Sequence, residues 1–277
     1  GGVLDANHVK VPRMTTDQTW LPPVTANLAQ RFPAYPETWS FQPSERWVRG
    51  FAGDTAVVDS RRQLLVWEPR HKVPEYGFPL ADVRTDLLVE TDAPEGDLGY
   101  YRPRRAPAQW YDLRIDDRLI RHAAWSWDVP ELGGFLGVSW FPGVLDRWLE
   151  EEQPVFTHPR DQFSRVDALP SSRRVTVSRD GLVLADSNET VIVYETGLLP
   201  RYYFLPEHVY FPALASSSTE TSCPYKGHTT QYWSLADGTL DDVAWSYGDP
   251  KDDVAAIAGG LAFYTERLDL TVDGGPR

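Results

Sequence analysis

The sequence predicts a mainly β protein made of two tandem copies of one small, strongly bent antiparallel sheet, with little helix. The chain has 20 glycines and 23 prolines among its 277 residues, a content that favours loop-rich β proteins over helical bundles. Apolar and polar residues alternate with a period of two in short runs such as Arg174–Val177, which is typical of half-buried strands. The third observation is an internal repeat.

The repeat consists of short motifs that occur twice, in the same order. The matched positions, at offsets that shrink from 127 to 120 residues, are Asp59-Ser60 with Asp186-Ser187, Glu68 with Glu195, Tyr76 with Tyr203, Pro79 with Pro206, and Ala124–Trp127 with Ala244–Tyr247. A shrinking offset is expected where loops lose residues. We therefore predict a Pro-rich lead-in over 1–44, a first copy over 45–150, a linker over 151–171 and a second copy over 172–277.

Within each copy, alternating runs predict strands and turn residues separate them. Asp180-Gly181 supplies a hairpin turn between two such runs. The predicted strands are Thr55–Val58, Leu64–Trp67, Arg174–Val177, Leu182–Ala185, Val191–Tyr194, Thr229–Leu235, Val243–Tyr247 and Leu261–Tyr264. Leu205–Val209 and Val254–Gly259 are expected to form single helical turns.

Composition excludes several classes of function. The net charge is −13, and such an acidic surface repels phosphate backbones and anionic lipid, so we expect no nucleic-acid and no membrane partner. A single cysteine, Cys223, excludes an intrachain disulfide and any metal site that needs two thiolates. The sequence also shows no Gly-rich phosphate loop and no convincing pair of metal-binding carboxylates, so we expect no metal and no cofactor. The N-terminal residues show no secretory signal, so we expect a cytoplasmic protein.

The second copy resembles the bacterial domain-of-unknown-function family 427. The motifs that carry the resemblance follow one another in order and are Tyr202–Pro206, Cys223-Pro224-Tyr225-Lys226-Gly227, Tyr232-Trp233, Trp245–Tyr247 and Ala262–Tyr264. The resemblance implies a small β fold similar to the β-tent (Mss4-like) architecture, and implies little about chemistry. In the first copy, Cys223 and Lys226 fall opposite Tyr101 and Arg104. The thiol and the ammonium of the motif are therefore expected to act only in the second copy.

Three polar residues of the second copy are candidates for chemistry. Cys223 lies three residues before Lys226, and a nearby ammonium favours a nucleophilic thiolate; the alternative is a small buried side chain in a turn. Lys226 could clamp an anionic ligand group or be a solvated turn residue. Glu195 could be a general acid/base or a structural partner of a lysine, and its retention as Glu68 favours a structural contribution.

The second copy also carries more aromatic side chains than a unit of this size needs for its core. The residues expected to shape a ligand pocket beside the three candidates are Tyr203, Tyr225, Trp233, Trp245, Tyr247 and His208. Pockets for small molecules are mostly apolar walls with a few polar groups. Asp186-Ser187, by contrast, is expected to cap a turn.

The leading hypothesis is a metal-independent enzyme that acts on a small molecule in the second copy, with the first copy as a degenerate, stabilising half. One alternative is a non-catalytic binding module that grips a ligand in an aromatic cage. A third is a scaffold whose groove between the copies binds a protein partner. The oligomeric state, the substrate and the reaction type are left open.

Overall fold

The computed structural model describes residues 37–96, 103 and 107–277. The strands in this part of the chain pair in antiparallel fashion throughout. The helical segments are single turns of 3-10 helix, apart from one at Asp252–Ile257. The predicted mainly β class with two tandem copies is confirmed. Among the described residues, no helix is long and apolar enough to cross a membrane.

The described residues of the first copy form eleven strands in two sheets. In chain order they are β1 (Ser40–Pro43), β2 (Val48–Ala52), β3 (Thr55–Ser60), β4 (Leu64–Trp67), β5 (Glu75–Pro79), β6 (Leu88–Thr91), β7 (Pro107–Ile115), β8 (Arg118–Trp127), β9 (Phe135–Val138), β10 (Arg147–Glu150) and β11 (Gln153–Val155). One sheet has the order β1-β4-β5-β9-β8-β7-β6, and the other has the order β11-β10-β2-β3.

The second copy repeats this arrangement and adds a hairpin. Its strands are β12 (Val166–Ser171), β13 (Val175–Arg179), β14 (Leu182–Ser187), β15 (Thr190–Glu195), β16 (Arg201–Phe204), β17 (Leu214–Ser217), β18 (Ser222–Cys223), β19 (Gly227–His228), β20 (Gln231–Leu235), β21 (Ala244–Ser246), β22 (Leu261–Phe263), β23 (Asp269–Val272) and β24 (Gly275–Pro276). The orders are β12-β15-β16-β22-β21-β20-β17 and β14-β13-β23-β24, with β18-β19 as a separate pair. Strand for strand, the two seven-stranded sheets correspond, and so do the two four-stranded sheets.

Three strands lie in segments that were predicted to be lead-in or linker. β1 belongs to the predicted lead-in, and β11 and β12 belong to the predicted linker. All three contain proline and all three are edge strands. An edge strand tolerates proline because the N–H groups on its outer side need no hydrogen-bond partner in the sheet. The proline content of these segments is therefore why the sequence did not predict strands there. The rest of the lead-in, 1–36, lies outside the described residues.

The strand register corrects two of the matches in the repeat, that of Tyr76 with Tyr203 and that of Pro79 with Pro206. Leu64 pairs with Gly77 in the first copy, and its counterpart Val191 pairs with Tyr203 in the second. Tyr203 therefore corresponds to Gly77, and Tyr76 corresponds to Tyr202. Pro79 likewise matches Leu205 rather than Pro206. The connection from β4 to β5 is one residue longer than that from β15 to β16, and a shift of one residue moves a side chain to the other face of a strand.

Each copy buries apolar side chains on both faces of its seven-stranded sheet. One core fills the space between the two sheets and draws on residues of both, for example Leu65 and Trp148 in the first copy, or Ile192 and Leu270 in the second. A second, aromatic cluster lies on the opposite face of the seven-stranded sheet. In the second copy the helical segment Asp252–Ile257 packs on this cluster through Val254 and Ile257. That face carries the candidate site.

Candidate functional site

A cavity of about 280 Å³ opens on the aromatic face of the second copy. Its lining residues are Val193, Glu195, Leu198, Leu199, Arg201, Tyr203, Thr221, Ser222, Cys223, Lys226, Tyr232, Trp245, Tyr247 and Tyr264. We call it the aromatic cavity. Its size approaches the lower limit for small-molecule pockets, and its mixture of aromatic walls with a few charged groups is typical of them.

Strand alternation builds the aromatic wall. Tyr232 lies opposite Trp245, and Trp245 and Tyr203 both lie opposite Ala262, so these side chains share one face of the sheet. The rings of Trp245 and Tyr264 lie 4.4 Å apart between centroids. The Trp245 indole Nε1–H donates a hydrogen bond of 3.3 Å to the Tyr203 hydroxyl. These contacts hold the Trp245 ring in place as the wall of the cavity.

The hairpin of β18 and β19 brings the polar residues to this wall. The Lys226 N–H donates to the Cys223 carbonyl at 3.2 Å and closes the turn. Gly227 has φ +110°, a left-handed conformation that favours glycine, and an added Cβ there would lie 3.4 Å from the Asp249 carbonyl oxygen. The Lys251 N–H in turn donates to the Lys226 carbonyl at 3.0 Å. The motif therefore specifies how the hairpin docks on the neighbouring segment.

Lys226 and Glu195 form a buried ion pair at the end of β15. Their side chains are 12% and 8% exposed, and Nζ contacts Oε2 directly. Burial by itself would lower the pKa of Lys226, but the adjacent Cys223 and Glu195 outweigh it and raise that pKa above its ordinary value. The ammonium is therefore charged at neutral pH, and the half-buried Cys223 thiol lies beside it.

A second cation, Arg201, also lines the aromatic cavity. The Arg201 guanidinium binds the Glu266 carboxylate through two hydrogen bonds, of 2.6 and 2.5 Å. Burial would raise the pKa of Glu266, but Arg201 holds it below its ordinary value. The same guanidinium lies 5.6 Å from the ring centroid of Trp245 and 5.5 Å from that of Tyr264. The aromatic surface thus already faces a cation from the protein itself.

An adjoining cavity of about 210 Å³ lies where the two copies meet. It shares Glu195, Leu198, Ser222, Cys223 and Lys226 with the aromatic cavity. Its other lining residues come from the first copy (Lys72, Val73, Pro74), from the predicted linker (Thr157, His158, Asp161, Ser164) and from the second copy (Pro224, Tyr225). The Tyr225 hydroxyl accepts a hydrogen bond of 2.6 Å from the Asp161 N–H. The five shared residues therefore form the wall between two cavities.

The structure brings together most of the residues predicted for the site. Cys223, Lys226, Glu195, Tyr203, Trp245 and Tyr247 line the aromatic cavity, and Tyr225 lines the adjoining one. The ion pair agrees with the structural reading of Glu195 as the partner of a lysine.

Two predicted ligand-binding residues lie elsewhere. Trp233 faces the core between the two sheets and packs against Phe211; its neighbour Tyr232 takes the place in the cavity because β20 alternates. His208 ends the 3-10 turn Pro206–His208 after β16. Its Nδ1 is 2.7 Å from the hydroxyl of Ser187 at the end of β14, and it lines neither cavity.

The turn at Ser187 behaves as expected from its sequence. The Ser187 hydroxyl accepts a hydrogen bond of 2.8 Å from the Glu189 N–H, and Ser60 accepts one of 3.3 Å from the Arg62 N–H. Both serines therefore cap turns.

Across the described residues, no group of three or more His, Cys, Asp or Glu side chains could hold a metal ion.

Four site residues were not predicted from the sequence: Tyr232, Tyr264, Arg201 and Lys72. Tyr232 lies directly opposite Trp245 in the pairing of β20 with β21, so the two side chains share a face of the sheet. This could be inferred only if the register of the two strands were known. Lys72 belongs to the other copy, and no motif marks it.

The first copy uses the equivalent face differently. Trp110, Trp125 and Trp127 pack there, and glycines stand where the second copy has Tyr203 and Ala262. An added Cβ on Gly137 would lie 2.3 Å from the Trp125 ring, so the indole rests directly on the sheet. Tyr101 and Arg104, the positions opposite Cys223 and Lys226, lie outside the described residues.

Comparison with known families gives two matches along the chain. The family model described as a domain of unknown function (DUF427) matches residues 40–139 and residues 167–274. The matched ranges begin at β1 and one residue into β12, in agreement with the strands found in the predicted lead-in and linker. No curated protein matches the chain.

Proposed function

The chain belongs to the family of the domain of unknown function DUF427, which it contains twice, and we propose that its second copy is the working half of a metal-independent enzyme acting on a small molecule. The observation that carries the proposal is the position of Cys223 and Lys226 on one wall of an aromatic cavity. A thiol, a charged ammonium and flat apolar walls together supply a reacting group, an electrostatic contact and a place for a substrate.

The contacts suggest a division of labour in the site. Cys223 is the nucleophile or the proton donor, since it is half-buried and lines the aromatic cavity together with the Lys226 ammonium. Lys226 holds an anionic group or stabilises negative charge that develops in the transition state. Glu195 orients Lys226 and keeps it charged. Tyr203, Trp245 and Tyr247 hold the substrate over the thiol.

The proposal can be tested before a substrate is known, because Cys223 is the only cysteine of the chain. Alkylation by iodoacetamide, followed by intact mass, then reports on this site alone, and Cys223→Ser is the blank. An activated thiol should react at neutral pH about tenfold faster than glutathione. Lys226→Met should bring the rate down towards that of glutathione. A wild-type rate no faster than glutathione, or reaction only after unfolding, would contradict a nucleophilic Cys223.

A second candidate function is a non-catalytic binding module. The neighbouring rings of Trp245, Tyr264 and Tyr232 favour it, because they could grip a flat ligand without any reaction. Arg201 already faces two of these rings, which favours a flat or anionic ligand over a cation. Under this alternative Cys223→Ser keeps full ligand affinity and the thiol shows ordinary reactivity.

The setting of the protein is part of the proposal. A free, half-buried thiol suits a reducing compartment, and we propose that the protein acts in the cytoplasm. With a net charge of −13, a small molecule is a better partner than a nucleic acid.

A further inference from the structure

The chain uses lysine sparingly and concentrates it around one sulfur. It has four lysines. Two of them, Lys72 and Lys226, line the adjoining cavity together with Cys223, and a third, Lys251, lies next to the Cys223 hairpin but outside both cavities. Nearly all other cations of the chain are arginines. A lysine ammonium is a compact charge that contacts a single anionic group, whereas arginine forms a planar fork. This concentration points to recognition of an anion.

Lys72 differs from the other two lysines because it comes from the first copy. It follows β4 and reaches the adjoining cavity, which it lines together with Cys223 and Lys226. Within the described residues it forms no ion pair and no hydrogen bond through its side chain. Burial lowers its pKa in spite of the nearby Glu195 carboxylate. Lys72 is therefore a partly buried cation without a direct partner.

The carboxylates around Lys72 are engaged elsewhere. Glu195 contacts Lys226 directly, and Oδ1 of Asp161 accepts a hydrogen bond of 2.7 Å from the Phe163 N–H. A buried charge costs free energy unless an opposite charge lies near it. The adjoining cavity of about 210 Å³ provides the space in which such a charge can bind.

We propose that the substrate carries a carboxylate or phosphate group that binds in the adjoining cavity between Lys72 and Lys226. Lys72 of the first copy is then a positioning residue for chemistry in the second copy. The two cavities share Cys223, so a molecule anchored by its anionic group extends past the thiol into the aromatic cavity. The inference rests on the proposed function, since it takes Cys223 as the reacting group.

The test compares two alkylating reagents that differ in charge. Iodoacetate and iodoacetamide form the same S–C bond at Cys223 and release iodide, but only iodoacetate carries a carboxylate. We expect the ratio of the iodoacetate rate to the iodoacetamide rate to exceed that of glutathione by about tenfold, because a cleft lined by one sign of charge concentrates the opposite ion.

Matched variants locate the effect. Lys72→Met should lower this ratio about fivefold or more, whereas Lys251→Met, which removes the same charge at a position outside both cavities, should change it less than about twofold. An unchanged ratio in Lys72→Met overturns the inference. The proposed function is tested separately: it is contradicted if iodoacetamide reacts with Cys223 no faster than it reacts with glutathione.

A second measurement does not depend on thiol reactivity. At constant ionic strength, inorganic phosphate or acetate should raise the melting temperature of the wild-type protein and not that of Lys72→Met. A response to phosphate alone identifies a phosphate group, and a response to acetate identifies a carboxylate. Equal responses of wild type and Lys72→Met, or no response of either, would contradict an anion site at Lys72.

Discussion

At the scale of single residues, the site depends on how three charged groups are paired. Glu195 neutralises Lys226, and Lys72 is left without a direct partner among the described residues. Lys226 and Glu195 were predictable from the sequence, because Lys226 belongs to a distinctive motif and Glu195 recurs as Glu68. The sequence could not predict Lys72, since only the packing of one copy on the other brings this side chain to Cys223.

The ion pair predicts a specific pattern of stabilities. Replacing either Glu195 or Lys226 by methionine leaves the other charge buried and should lower the free energy of unfolding by about 3 kcal/mol. The double replacement should recover most of this loss, because no unpaired charge remains. Urea denaturation of the four proteins measures the cycle. Additive losses in the double variant would show that the two residues do not stabilise each other.

Glu75 predicts a pH dependence in the first copy. Burial, with a further contribution from Glu68, raises the pKa of this carboxyl well above its ordinary value. The folded protein then binds a proton that the unfolded chain releases, so stability falls as pH rises above the ordinary pKa of glutamate. Glu75→Gln should flatten this decline and have little effect at lower pH. Thermal unfolding of both proteins from about pH 4, near the ordinary pKa of glutamate, to about pH 8 measures this decline. Identical slopes for the two proteins would show that Glu75 does not cause it.

At the scale of elements, alternation was predictable and register was not. Most predicted strands are present in the structure, because period-two patterns mark them directly. Which face a residue occupies depends on a register that the sequence does not reveal. The sequence alone therefore favours Trp233 over Tyr232 as a cavity residue and matches Tyr76 with Tyr203. The likeness to a β-tent unit stays a prediction.

The aromatic face of the first copy predicts a size limit at Gly137. A Cβ at this position would lie 2.3 to 2.6 Å from atoms of the Trp125 ring. Gly137→Ala should therefore displace the indole and lower the free energy of unfolding by about 1–3 kcal/mol. Gly275→Ala, where the nearest atom lies at an ordinary 3.5 Å, is the matched control. Equal stability of the two variants in urea would show that Trp125 moves aside without cost.

At the scale of the whole molecule, the linker is fixed to both copies. The Arg160 Nε donates to the buried Glu150 of the first copy at 3.0 Å, and the next residue, Asp161, donates to Tyr225 of the second. Phe156 stacks on His228 with centroids 4.0 Å apart. These contacts hold the first copy against the hairpin that carries Cys223, so residues of both copies line the adjoining cavity.

The contact at Tyr225 predicts coupling between this linker and the site. Tyr225→Phe removes the acceptor for the Asp161 N–H and should cost about 1 kcal/mol of stability. We expect a larger effect on the alkylation of Cys223, because the hydrogen bond that fixes one wall of the adjoining cavity is lost. The preference for iodoacetate over iodoacetamide should fall in the direction seen for Lys72→Met. A wild-type preference in Tyr225→Phe would mean that the linker does not position the two copies for binding.

A crystallographic screen of the wild-type protein with benzoate and phenyl phosphate shows most directly whether the two copies share a small-molecule site. We expect the aromatic ring to lie against Trp245 in the aromatic cavity and the acid group to lie between Lys72 and Lys226, beside Cys223. If both compounds bind only at other places and the two cavities contain water alone, the result would contradict a small-molecule site shared by the two copies.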